Sequence, residues 1–166
     1  MKSTTEKIAL VIAIIWISLI ISAVVGGVFL FKNFVFKTKE SITSEEFISK
    51  MEENHFNVTD VTKQLEGEDV EVKEGYVARK DNCQVEFYTF KNEDDADTFY
   101  KTTKVKLDSD TASTRIQLSG RNYASFNIET NGKFKFLERI NKTVVYVNVD
   151  NTYKNDIKDV LRDLGY

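Results

Sequence analysis

The sequence predicts an α+β domain that follows a single N-terminal transmembrane helix. Residues Ile8–Phe31 form one apolar run in which Ser18 and Ser22 are the only polar side chains. Downstream of that run, segments that alternate polar and apolar residues are interspersed with segments of helical periodicity. We therefore expect a mostly antiparallel sheet of about five or six strands with the helices packed on one face.

The apolar run has the length of a membrane span. As a helix at about 1.5 Å per residue it extends about 36 Å, enough to cross a hydrocarbon core of about 30 Å. A secretory signal peptide has a shorter apolar stretch of about 7 to 15 residues, so the run predicts a retained anchor. The expected organisation is a short tail (1–7), a transmembrane helix (8–31), a juxtamembrane connector (32–41) and a soluble domain (42–166).

The side of the membrane is less clearly encoded than the anchor itself. The basic residues flanking the run slightly favour a cytoplasmic domain, but a long C-terminal domain translocates largely regardless of charge, and we adopt an extracytoplasmic domain at the cell membrane. Within the run, Ser18, Ser22 and Gly26 recur every four residues, and such a stripe lets a second helix pack closely. The predicted partners are the lipid bilayer and, through this stripe, another membrane protein.

Composition excludes several functional classes. The chain has 23 basic and 26 acidic residues, a net charge of −3, which does not support nucleic-acid binding. One cysteine, Cys83, excludes an internal disulfide and a multi-cysteine metal site, and a catalytic thiol would have to use the single histidine, His55. Cys83 is therefore expected to be a buried structural residue. The absence of proline, with abundant lysine, asparagine and isoleucine, favours an AT-rich bacterial source.

The first helix of the domain is predicted to begin at Thr43, because Thr43 and Glu46 have the spacing of a capping box. Asn54 is expected to take the left-handed position that ends this helix. Alternating apolar residues over 56–61 then predict a short strand.

A hairpin and a second helix are predicted next. Residues 70–80 and 83–90 have strand patterns and are joined by Asp81 and Asn82, which tolerate tight turns. Asn92 is expected to cap the second helix, whose acidic first turn is favoured by the helix dipole.

The second half predicts a three-stranded meander and a final helix. Residues 107–120 are expected to be a polar connection. Asn131 and Gly132 predict a type I′ hairpin turn, and a last helix is expected to begin at Asn151 or Thr152 and to end at Leu164. The expected strands of the meander are residues 122–130, 133–140 and 143–149.

The sequence contains no recognisable catalytic or cofactor-binding motif. Acidic residues cluster near 66–74, 93–97 and 108–110, but they lack the spacing of a calcium loop, and the glycines form no phosphate-binding loop. We therefore predict no metal, no cofactor and no enzymatic activity. An anchored hydrolase that uses two carboxylates stays an alternative, because spacing in the sequence does not show which acids meet in the fold.

Four tyrosines on predicted strands suggest a binding surface. On one face of the sheet they would form an amphipathic platform for a peptide, glycan or protein; alternatively, they pack at sheet edges with the hydroxyl in water. The expected function is a membrane-anchored, non-catalytic module with a binding, sensing or accessory role. The alternative is a scaffold subunit of an envelope assembly that packs through its transmembrane helix. The four tyrosines are Tyr76, Tyr88, Tyr123 and Tyr146.

Overall fold

The computed structural model describes residues 38–65, 70–109, 112 and 114–166. The chain divides into two units, Met1–Lys37 and Thr38–Tyr166, and all the described elements belong to the second. The predicted anchor at 8–31 and its stripe of Ser18, Ser22 and Gly26 lie outside the described residues. Within those residues, no helix has both the length and the apolar character needed to cross a bilayer.

In the described part of the chain, three α-helices and seven strands form the domain, and the strands join in one antiparallel sheet. The helices are α1 (Ser44–Glu53), α2 (Glu93–Asp108) and α3 (Lys154–Asp163); the strands are β1 (Asn57–Asp60), β2 (Val72–Lys80), β3 (Cys83–Phe90), β4 (Thr114–Ser119), β5 (Tyr123–Thr130), β6 (Lys133–Ile140) and β7 (Thr143–Asp150). The order across the sheet is β1-β2-β3-β7-β6-β5-β4. Short 3-10 turns precede β2 and α3, at Thr62–Leu65 and Asn151–Tyr153.

The α+β class and the antiparallel sheet are confirmed, but the described sheet has seven strands, which is more than the five or six predicted. The additional strand is β4, which lies in the segment 107–120 that was expected to be a polar connection. All six of its residues are exposed, so it lacks the buried apolar face that identifies a strand in a sequence. Its backbone pairs with β5 at the edge of the sheet.

The prediction that the helices pack on one face is wrong, because they cover both faces of the sheet. Helices α1 and α3 pack against one side of the central strands, in a core that includes Val85 and Val147. Helix α2 packs against the other side, in a core that includes Tyr88 and Val144. Neighbouring residues of a strand point to opposite faces. We call these two surfaces the α1/α3 face and the α2 face.

The residues of β7 explain this arrangement. Val144 and Val145 point to opposite faces, and each is 0% exposed. Strands that are covered on both sides have nearly continuous apolar sequences, whereas strands with one wet face alternate. The segment 143–149 is of the continuous kind, so the sequence already contained the signal for helices on both sides.

Most of the predicted helix caps and hairpin turns are found in the structure. The N–H of Glu46 donates to Thr43 Oγ1 at 3.2 Å and the N–H of Thr43 donates to Glu46 Oε2 at 2.8 Å, which is the predicted capping box. Asn131 and Gly132 both have positive φ, 50° and 75°, as a type I′ turn requires. The left-handed residue after α1 is His55, at φ 64°, and not Asn54 as expected.

Replacing Thr43 with alanine removes the acceptor for the Glu46 N–H. We expect a loss of about 1 kcal/mol in the free energy of unfolding, measured by urea unfolding followed by circular dichroism. Thr152→Ala, at an exposed position in the 3-10 turn before α3, is the matched control and should change it by less than about 0.5 kcal/mol. Equal losses in the two variants would contradict a stabilising cap at Thr43.

Candidate binding site

The four tyrosines of the predicted platform are divided between the two faces of the sheet. Tyr76 pairs with Phe87 and Tyr123 pairs with Ile140, which places both tyrosines on the α1/α3 face. Tyr88 and Tyr146 belong to the core beneath α2. Of these two pairs, only Tyr88 and Tyr146 lie on neighbouring strands, because β3, β7 and β6 separate Tyr76 on β2 from Tyr123 on β5. The four tyrosines therefore do not form one surface.

Tyr88 is a buried member of this set. It is 6% exposed, and its hydroxyl donates to Glu86 Oε2 at 2.6 Å. Burial raises the pKa of Tyr88 well above its ordinary value, and the nearby Glu86 carboxylate adds to the shift. The hydroxyl therefore satisfies a hydrogen bond inside the domain and is not presented to solvent.

An open cleft with a partly apolar lining lies on the α2 face of the described structure. It has a volume of about 390 Å³ and lies between α2 and three residues, Leu65 at the end of the first 3-10 turn, Val70, and Val72 at the start of β2. Four partly buried apolar side chains form much of its lining, together with three threonines and the exposed Lys106. We call it the α2 cleft. Its lining residues are Leu65, Val70, Val72, Thr98, Phe99, Thr102, Thr103 and Lys106.

Gly75 allows one wall of the α2 cleft to form. A Cβ atom added at Gly75 would lie 2.6 Å from Leu65 Cδ1 and 3.3 Å from Tyr88 Cδ1, so a larger residue would displace Leu65. The N–H of Gly75 also donates to Thr62 Oγ1 at 3.0 Å, which ties the 3-10 turn to β2. Sequence analysis did not single out Gly75, although a glycine inside a strand often marks such a close approach.

A second cleft, also of about 390 Å³, contains Cys83 in its lining. Phe56, Ile157 and Val160 line it as well, and all four side chains belong to the core beneath α1 and α3. Cys83 is buried, as predicted, and burial raises the pKa of its thiol. A protonated, buried thiol is a poor nucleophile, which favours a structural role.

Several members of the acidic clusters have identified partners where the structure describes them. Glu71 lies 2.7 Å from Lys91, and Asp108 lies 2.8 Å from Arg115. The N–H of Asp95 donates to the cap residue Asn92. Glu66, Glu68, Asp69 and Asp110 lie outside the described residues. Among the residues that are described, no three His, Cys, Asp or Glu side chains lie close enough together to hold a metal ion.

Lys39, in the predicted connector, is bound to the α1/α3 face. Its N–H donates to Asn122 Oδ1 at 3.1 Å, and its carbonyl accepts from Asn122 Nδ2 at 2.8 Å. Its amine lies 2.5 Å from Glu138 Oε1 and 5.2 Å from the centre of the Tyr123 ring. The end of the connector is therefore held against strands β5 and β6. We call this set of interactions the Lys39 contact.

Glu138 is the buried partner in the Lys39 contact. Its side chain is 2% exposed, and burial raises its pKa above the ordinary value, while hydrogen bonds from Lys39 and Ser125 act in the opposite direction. Because this pKa is raised, the Glu138 carboxyl group keeps its proton to a higher pH in the folded state than in the unfolded state. This group therefore favours folding below its ordinary pKa, and that contribution is lost as the pH rises through the folded pKa.

Lys39→Ala leaves the Glu138 carboxylate buried without its cation. We expect a loss of about 2 kcal/mol in the free energy of unfolding at pH 7, because an uncompensated buried charge is strongly destabilising. This loss should become smaller as the pH falls and Glu138 takes up a proton. The double variant Lys39→Ala, Glu138→Gln should recover most of the lost free energy of unfolding. Chemical unfolding followed by circular dichroism at several pH values measures this.

Lys50→Ala is the control for the Lys39 contact. Lys50 pairs with Glu53 on the exposed surface of α1, where salt bridges contribute little, so no measurable change is expected. A loss for Lys39→Ala that did not depend on pH would show that Lys39 stabilises the fold through packing and not through the charge of Glu138.

Comparison with known proteins identifies no family for this chain. No family model matches it, and no curated protein matches it. A solved structure described as a GTP binding regulator from Thermotoga maritima is similar, with 22% sequence identity and a TM-score of 0.46, covering 75% of this chain and 88% of that one. At these values the likeness supports no functional inference.

Proposed function

We propose that this chain is a single-pass, membrane-anchored, non-catalytic module that binds an amphiphilic ligand in the α2 cleft, on the extracytoplasmic side of a cell membrane. The open, largely apolar α2 cleft is the observation on which the binding role rests. The apolar run Ile8–Phe31 is the observation that supports the anchor.

The size and lining of the α2 cleft favour a small ligand with an apolar body. Its volume of about 390 Å³ falls within the range of ligand sites, which are mostly apolar with a few convergent polar groups. Leu65, Val70, Val72 and Phe99 are each partly exposed, so a ligand would remove further apolar surface from water. That burial stabilises a complex by about 25 cal/mol for each Å² covered.

Lys106 favours an anionic head group on that ligand. Two other lysines of α2 are engaged, since Lys101 pairs with Asp97 and Lys104 donates to Gln117. Lys106 is exposed at the rim of the α2 cleft and, within the described part of the chain, has no ionic partner. A carboxylate, sulfonate or phosphate beside an apolar body would match this combination.

An anionic naphthalene dye, 1-anilinonaphthalene-8-sulfonate, tests this site because it joins an aromatic body to a sulfonate. We expect a saturable rise in its fluorescence with the folded chain, an approximately tenfold weaker affinity for Lys106→Glu, and loss of the saturable component for Thr102→Trp, which fills the cleft. Thr59→Trp, exposed on β1, makes the same replacement away from the cleft and should bind as the parent does. Equal binding by all four proteins would refute the site.

Fractionation of cells that express the full chain tests the anchor and its orientation. We expect the chain to stay in the membrane pellet after alkaline carbonate treatment, and a variant that lacks residues 8–31 to leave it. Protease added to intact cells should digest the domain while a cytoplasmic marker stays intact. Release of the full chain by carbonate would contradict the anchor, and protection of the domain would reverse the proposed orientation.

A further inference from the structure

We propose that β4 pairs edge to edge with β4 of a second copy of this chain, in antiparallel orientation, to make one continuous sheet. Strand β4 forms one edge of the sheet and is hydrogen-bonded to β5 on one side. Ile116 and Leu118 are 46% and 57% exposed, and with Val105 they are the large hydrophobic side chains that the described structure leaves exposed. An edge of this kind presents backbone N–H and C=O groups to another strand.

The opposite edge of the sheet lacks these features. Strand β1 is four residues long, and its apolar side chain, Val58, packs against the core beneath α1 and α3. Its last residue, Asp60, accepts a hydrogen bond from the N–H of Thr62. Short edge strands with charged residues resist pairing with other chains. Strand β4 is longer, with six residues, and its charged residue, Arg115, lies on the opposite face from Ile116 and Leu118. The asymmetry singles out β4 as the edge that is open to a partner.

The sequence of β4 is complementary to itself when the antiparallel ladder is centred on Gln117. In that register Ile116 of one copy lies opposite Leu118 of the other, and this apolar pair occurs twice by symmetry. Arg115 lies opposite Ser119, and Gln117 lies opposite Gln117, so no two like charges meet. Cross-strand apolar pairs stabilise a ladder and directly opposed like charges weaken it. This self-complementarity identifies the partner as a second copy.

The two faces of β4 differ in what surrounds them. On the α2 face, Arg115 pairs with Asp108, and Gln117 accepts a hydrogen bond from Lys104, so this side is polar and tied to α2. On the α1/α3 face, Ile116 pairs with Asn127 and Leu118 pairs with Ser125 of the neighbouring strand β5. The side chains of Ile116 and Leu118 are exposed at this edge of the sheet. A ladder centred on Gln117 joins like faces of the two copies, which puts all four apolar side chains on one side of the continuous sheet.

The Lys39 contact agrees with this symmetry. Like faces join when the two-fold axis runs perpendicular to the sheet, so the Lys39 contacts of both copies lie on the same side. This symmetry is compatible with two chains that are anchored in one membrane. This step rests on the proposed anchor, whereas the self-complementary register does not. One short ladder buries less than the 1,200–2,000 Å² typical of stable complexes in solution, so we expect confinement in a membrane to favour the pair.

Disulfide cross-linking of the full chain in native membranes tests the register. Opposite residues of an antiparallel pair have Cα atoms about 4.5–5.5 Å apart, within disulfide range, so Gln117→Cys should give a covalent dimer under mild oxidation. Ser119→Cys, opposite Arg115, should cross-link at least fivefold more slowly. Thr59→Cys, on the other edge, and the parent, whose Cys83 is buried, should give no covalent dimer.

Ile116→Lys in the Gln117→Cys background should lower the cross-linked fraction at least fivefold, while Thr152→Lys, an exposed change elsewhere, should not. Circular dichroism shows whether each variant is folded. Absence of the Gln117→Cys dimer, equal dimer from Thr59→Cys, or a product that contains a different polypeptide would overturn the proposal. Carbonate extraction of the same membranes reports separately whether the anchor is present.

Discussion

The pairing of β3 with β7 is the constraint on which the rest of the domain depends. These strands lie next to each other in the sheet although about sixty residues separate them in the chain, and both are buried on two sides. Each fully buried valine or phenylalanine stabilises the fold by about 1.5–3 kcal/mol, and this pair of strands contributes many of them. Two-sided burial requires helices on both faces, which α1 and α3 supply on one side and α2 on the other.

Because helices cover both faces of the sheet, the proposed ligand site and the proposed pairing edge lie on different parts of the surface. The centre of the sheet is covered, so exposed apolar surface is left at the α2 cleft and at the edge strand β4. The Lys39 contact lies on the α1/α3 face, whereas the α2 cleft lies on the other face. A ligand bound in the cleft would therefore not meet the contact that holds the connector.

The sequence predicted those features that depend on neighbouring residues. The capping box at Thr43, the turn at Asn131 and Gly132, and the strands over 83–90 and 133–140 all follow from local propensity and periodicity. Strand β4 was missed because its order comes from pairing with β5 and not from a buried face. An exposed strand leaves little pattern in its own residues.

The long-range contacts could not be predicted from the sequence, for a different reason. Lys39 and Glu138 are separated by 99 positions, and neither residue is unusual among the many charged residues of the chain. The role of Gly75 depends on Leu65, which approaches it from the 3-10 turn. The burial of β7 on both faces could have been predicted, because the segment 143–149 is almost continuously apolar. Strands elsewhere in the chain alternate, and that pattern favoured a sheet with helices on one face only.

The position of β7 in the sheet has a consequence for biosynthesis. Strand β7 is the seventh of the described strands along the chain, yet it occupies the middle of the sheet and joins the two halves. While a ribosome is still translating residues before 143, β3 lacks a neighbour on the side that β7 will fill, whereas β6 is made only just before β7. The nascent chain therefore presents the unpaired apolar edge of β3 throughout the translation of residues 91–142, an interval in which such an edge is prone to association with other chains.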